Sequence, residues 1–170
     1  MNEMYATVEQ WQADCPWEIV TDEVTGVSVP KPPEWETLAL PGVPLAVRQP
    51  LRPDGFAANV TVNVEEALAP HDSLAAYSEA VLGNMMVTLT DLRVIAIDDY
   101  ELWGLPGRRI LSAHRNGPYS LALEQYWFVG PDGVATAFSG TCDIADHLTH
   151  SQTFAYMVSG LRPAARVPHD

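Results

Sequence analysis

Lysine is almost missing: the 170 residues hold one, Lys31, and Lys and Arg together number 9 against 22 Asp and Glu. The net charge of −13 excludes the common nucleic-acid binders, which neutralise phosphates with clustered basic side chains. The same charge is repelled by an anionic membrane surface. No apolar run approaches the ~20 residues needed to span a bilayer, so direct membrane insertion is not expected. The first residues, MNEMYATVEQWQADCPW, have neither a basic start nor an apolar segment, and Cys15 follows QAD, which is not a lipobox. These absences predict a cytoplasmic protein. Cysteine is scarce as well: Cys15 and Cys142 read as free thiols in a reducing compartment, with a Cys15–Cys142 disulfide as the alternative.

Catalytic signatures are also lacking. No Gly-rich phosphate loop and no nucleophile elbow occur, so neither cofactor nor catalytic residue is assigned. The stretch TCDIADHLTH (141–150) is the most chemical in the chain, but it does not read as a metal site. Thr149 and Gln152 form a capping box that starts a helix near His150, leaving His147 in the preceding loop and the two rings apart. Arg108 and Arg109 fall on opposite faces of a strand, where a surface salt bridge to Glu101 or Glu124 is expected, with anion binding as the alternative. Asp98 and Asp99 read as a turn or bulge, and His114 as a surface residue.

What is present is an ordinary globular composition, 47% hydrophobic and 18% charged, in a length typical of one domain. The arginine bias and abundant alanine fit a high-GC bacterial genome. A short N-terminal helix packs by its tryptophans, and the strand from Val24 ends at Pro30. Leu45–Pro50 gives a second short strand. Val60, Val62 and Val64 alternate along a third, followed by a helix capped by Asp72 with Leu74, Tyr77, Val81, Met85 and Leu89 on one stripe. Met85 and Met86 read as core filler. A four-strand meander comes next. Leu92, Val94 and Ala96 point inward on its first strand, an Asn116-Gly117 turn divides it, and PDG (131–133) closes its last hairpin. Tyr126 and Phe128 share one face of that hairpin and Trp127 takes the other. A closing helix carries Phe154, Met157, Val158 and Leu161, and the tail after it frays. Strands in runs with helices between them predict an α+β fold, an antiparallel sheet flanked by helices.

The segments GVSVPKPPEW, FAANVTVNVEE, DSLAAYSEAVLGNM, GLPGRRI, ALEQYWFVGPDGVATAFSGTC and FAYMVSGLRP follow one another in an order that resembles the LpqN/LpqT-type actinobacterial family, whose members have a PsbP-like fold. The resemblance implies a PsbP-like α/β/α sandwich over residues 24–163, a single LpqN-like domain, with residues 1–23 as an extension packed on it and 164–170 as a tail. It implies no enzymatic activity. Many members are exported lipoproteins, and this chain departs from them in lacking a signal and a lipobox. Asn59, in FAANV, is expected to satisfy neighbouring backbone.

The expected function is a non-enzymatic binding or accessory domain with a protein partner. The alternative is a carrier of a small apolar ligand between sheet and helix, in a pocket lined by Trp127, Phe138 and Met157. A small hydrolase ranks third, for want of a nucleophile–base pair. The candidate interaction surface is acidic: Glu65, Glu66, Asp98, Asp99 and Glu101. It predicts a partner with a basic or mixed face, with acids that only keep the protein soluble as the alternative.

Overall fold

The computed structural model describes residues 5–66 and 74–167. Helix α1 (Val8–Asp14) precedes β1 (Glu18–Thr21), β2 (Ser28–Lys31), β3 (Glu36–Thr37), β4 (Leu45–Arg48) and β5 (Asn59–Glu66). Helix α2 (Leu74–Thr88) leads into four long strands: β6 (Thr90–Leu102), β7 (Leu105–Asn116), β8 (Tyr119–Val129) and β9 (Val134–Asp143). A 3-10 turn (Ile144–Asp146) runs into α3 (His147–Ser159). The main sheet is antiparallel, in the order β3-β4-β5-β9-β8-β7-β6, and β1 and β2 form a separate two-stranded sheet.

Period-two alternation explains how the sheet is covered on both sides. Val60, Val62 and Val64 point to a core completed by Tyr126, Phe128, Phe138 and, from α3, Phe154, Met157 and Val158. Trp127, Ile110, Leu123 and Ala135 point to the opposite face and pack with Tyr77 and Met85 of α2. The hairpin register therefore places Tyr126 and Phe128 on one side and Trp127 on the other, as the alternation predicts. The arrangement is the expected α+β sandwich.

Several expectations need correction. The strand expected from Val24 begins only at Ser28, after a turn, and runs through Pro30 to Lys31; Pro30 faces away from β1, the side on which Ser28 alone is paired, with Arg162, so the ladder needs no donor from it. Met86 is not core: it is 74% exposed while Met85 is buried. Val94 does not point into the core either. Register shifts between Thr90 and Arg93 and between Val94 and Ala96 break the alternation that Leu92, Val94 and Ala96 suggested. Asp98 and Asp99 lie in the regular part of β6, not in a turn. His114 is buried on β7, where burial lowers its pKa. Asp72, the expected cap of α2, lies outside the described residues.

The N-terminal segment and the tail are both docked. Trp11 is buried, and Gln12 Nε2 donates to the Gly160 carbonyl (2.7 Å) and to Ser28 Oγ (2.9 Å). Instead of fraying, the described part of the tail, up to residue 167, is held through Ala164 N–H to Thr136 Oγ1 (2.9 Å), Ala165 N–H to the Thr25 carbonyl (3.0 Å), and Arg166 to the carbonyls of Glu23 and Val24.

Candidate interaction edge and the buried carboxylate behind it

Helix α3 starts at His147, three residues earlier than the capping box suggests. The Asp143 carboxylate accepts from the Ala145 N–H (2.9 Å) and opens the 3-10 turn, which passes directly into the helix. Both histidines are thus helical and have other work. His150 is buried between Trp35 and Phe154, with ring centroids at 6.3 and 6.1 Å. Burial lowers its pKa, against a smaller opposing effect of Asp146. His147 Nε2 lies 3.3 Å from Glu124 Oε2. Among the described residues, no group of three His, Cys, Asp or Glu side chains gathers in a geometry that could hold a metal.

Glu124 is the residue whose role the sequence concealed. It is 1% exposed, in the middle of β8. Its carboxylate accepts from Arg109 Nε (2.9 Å), the Tyr126 hydroxyl (2.7 Å) and Ser151 Oγ (2.9 Å). Burial alone would raise its pKa. The hydrogen bonds from Tyr126 and Arg109, the Arg109 charge and the Ser151 hydroxyl outweigh it, holding the carboxyl below its usual range. Ser151 and His147 both address the same carboxylate, so Ser151 is a donor to Glu124 and not a nucleophile activated by His147. The cysteines are equally quiet. Both are free: Cys15 Sγ is 3.7 Å from the Tyr156 hydroxyl, and burial pushes the Cys142 thiol up to about 12.

The five predicted surface acids separate into two groups. Glu65, on β5, accepts from the Tyr77 hydroxyl (2.6 Å) and so anchors α2; Glu66 beside it is exposed. Asp98, Asp99 and Glu101 lie on β6, with β9, β8 and β7 between them and β5. At the usual strand spacing that separation is about 19 Å. Asp98 pairs with Arg109 (3.2 Å) and Asp99 with Arg108 (3.3 Å), while Glu101 is exposed with no ion pair among the described residues. Asp98 and Arg109 share the α3 face with Glu124; Asp99 and Arg108 share the α2 face.

Strand β6 is an edge of the sheet, 13 residues long, whereas the opposite edge, β3, has two. Apolar side chains are exposed where α2 runs into β6: Met86 and Val87 on the helix, then Val94, Ile95 (60%) and Ile97 on the strand. At the other end of β6 a cleft of about 520 Å³ is lined by Asp99–Trp103, by Trp11 of α1 and by Ser159 of α3. A second, more open cleft of about 490 Å³ lies beside β3, between residues 33–35 and 49–54. The sheet–helix pocket that a carrier would need is filled: Trp127, Phe138 and Met157 are fully buried and divided between the two cores.

The fold is that of the PsbP-like proteins, with one large antiparallel sheet between helices. The structure is similar to LpqN of Mycobacterium tuberculosis, described as involved in cell envelope biogenesis, with TM-score 0.68 and 12% identity over 93% of this chain and 97% of that one. It is similar to the cyanobacterial PsbP (CyanoP) of Synechocystis, with TM-score 0.64 and 14% identity over 86% and 91%. The Saccharomyces cerevisiae Ran-binding protein Mog1p aligns with TM-score 0.62 and 10% identity over 86% and 94%. No protein-family model and no curated protein sequence matches the chain. At these identities the likeness is one of fold.

Proposed function

We propose that this chain is a non-enzymatic accessory domain that binds a protein partner with a basic or mixed face through the β6 side of the sheet. One observation carries the reading: a long strand edge is left unpaired among the described residues, with exposed Val94, Ile95 and Ile97 beside Asp98, Asp99 and Glu101. Exposed edges of this length are normally covered or blunted, because their free amides and carbonyls recruit other chains. The Ran-binding activity of Mog1p is a precedent for partner binding on this fold. The use of Ser151 and His147 as ligands of Glu124 supports a non-catalytic role. Within this reading the chain belongs with the LpqN/LpqT-type proteins, on the order of its motifs and the shared fold, and works in a reducing cytoplasm, in keeping with its free thiols.

The test uses the partner recovered by affinity capture, purified and titrated by calorimetry. Ile95→Arg combined with Ile97→Arg, both on exposed positions, is expected to weaken binding at least about a hundredfold, the loss of a hot spot of about 3 kcal/mol, with an unchanged far-UV spectrum. Binding untouched by this double substitution contradicts the reading.

A further inference from the structure

Resting on that reading, we infer how the partner is held: an extended, basic segment of it adds to β6 at Ala96–Leu102 as a further strand of the sheet, with one apolar side chain seated in the Trp11–Tyr100–Trp103 cleft.

The two halves of β6 differ. Both register shifts lie before Ala96 and distort the first half. Bulges at an edge twist it away and discourage pairing. From Ala96↔Leu111 to Leu102↔Leu105 the ladder with β7 is unbroken over seven residues. A regular stretch of that length, about 24 Å at the usual rise, matches the span of a short docked strand. The cleft flanks this half and no other, since its β6 lining is Asp99–Leu102, continued by Trp103 of the following loop, and its far wall comes from Trp11 and Ser159. An edge strand with a helix-walled groove beside it suits strand addition: main-chain hydrogen bonds supply affinity and the groove selects alternate side chains.

Charge decides the occupant. The regular half carries Asp98, Asp99 and Glu101 and no basic residue. Arg109 and Arg108 pair with the first two but leave Asp98 56% and Asp99 91% exposed, and Glu101 has no ion pair among the described residues. A second copy of the chain fits badly. The three most central antiparallel self-pairings of Ala96–Leu102 that keep like faces together put Asp98 opposite Asp98, Asp99 opposite Asp99, or Asp99 opposite Glu101. Like charges directly across a ladder are destabilising, and each copy brings a further net charge of −13. Arginine and lysine at alternate positions of an incoming strand meet the opposite situation.

The experiment titrates the full, 15N-labelled chain with a synthetic peptide of about nine residues alternating Val and Arg. Amide exchange of β6 is followed by NMR. Roughly tenfold slower exchange is expected for the Ala96–Leu102 amides that point away from β7, with none at β3. The Glu-for-Arg peptide and the same basic peptide N-methylated throughout are expected to bind at least about tenfold more weakly. Equal binding by the N-methylated peptide, or saturation without β6 protection, overturns the inference. So does protection that appears without peptide as protein concentration rises, which would mean self-pairing. If the Ile95→Arg, Ile97→Arg protein loses its partner while the peptide fails to protect β6, strand addition is wrong and the docking side is right. Unimpaired partner binding by that variant contradicts the docking side itself.

Discussion

Arg109 Nε stands 2.9 Å from Glu124 Oε1, while Arg109 Nη1 reaches Asp98 at 3.2 Å, so one guanidinium joins the exposed edge of the sheet to a carboxylate buried in its middle. The chain of contacts continues from Glu124 to Ser151 and His147 on α3. Replacing Glu124 with Gln leaves Arg109 without its buried counter-charge. A loss of about 3 kcal/mol is expected, the low end for a broken buried pair because Arg109 is partly exposed. Urea denaturation measures it. A change below about 0.5 kcal/mol would show that the network contributes little.

Acid should weaken the fold in two stages. The pKa of His150 is lowered by burial, so below its unfolded value of about 6.5 the unfolded state binds the extra proton and stability declines with falling pH. The carboxyl of Glu124 is also held low, despite its burial, by Tyr126, Arg109 and Ser151. Its contribution is complete above the unfolded value of about 4.3 and is lost as pH falls through the folded one. Urea midpoints followed from about pH 7.5 to about pH 3 should therefore fall throughout. The Glu124→Gln protein should follow the wild type in the upper window and converge with it in the lower.

Gly107 sits where a Cβ would collide with the Phe128 ring and lie 2.6 Å from the Trp127 carbonyl. Phe128 is fully buried and the carbonyl is backbone, so neither can yield. Gly107→Ala is expected to cost about 3 kcal/mol by overpacking, read as a drop in thermal midpoint. At Gly160 the obstacle is instead the Trp11 ring on α1. Gly160→Ala should release α1, with faster proteolysis before residue 18, while the amides of β7–β9 keep their protection.

Trp103 and Gly104 form the two-residue loop between β6 and β7, both with positive φ (54° and 76°). That geometry favours Asn-Gly, and a tryptophan in it bears about 1 kcal/mol of strain. Trp103→Asn relieves the strain and removes a cleft wall. The thermal midpoint is expected to stay within about 3 °C, while affinity for the alternating Val/Arg peptide falls roughly tenfold.

Much of this architecture could be read from local pattern. Val60, Val62 and Val64 and the Tyr126–Trp127–Phe128 alternation announced both faces of the sheet, and the Asn116-Gly117 and PDG turns fixed its hairpins. Sheet order was hidden, because β5 pairs with β9 across the whole meander. It is this order that parts Glu65 and Glu66 from the β6 acids. The burial of Glu124 was hidden for a related reason. A glutamate in a strand reads as solvent-facing until α3 brings Ser151 and His147 over it. The start of α3 was misread because the 3-10 turn continues into the helix, leaving the Thr149–Gln152 signature inside it.

The central claim, partner docking on an acidic edge, is tested most directly by the salt dependence of association. On-rates for the purified partner would be measured by stopped flow as the Debye length shortens from about 30 to about 8 Å. The account predicts a steep fall in on-rate for the wild type. Asp98→Asn, Asp99→Asn, Glu101→Gln should flatten it, and the amides of Glu65 and Glu66 should not. An on-rate independent of salt, or one flattened only by the Glu65 and Glu66 changes, would contradict it.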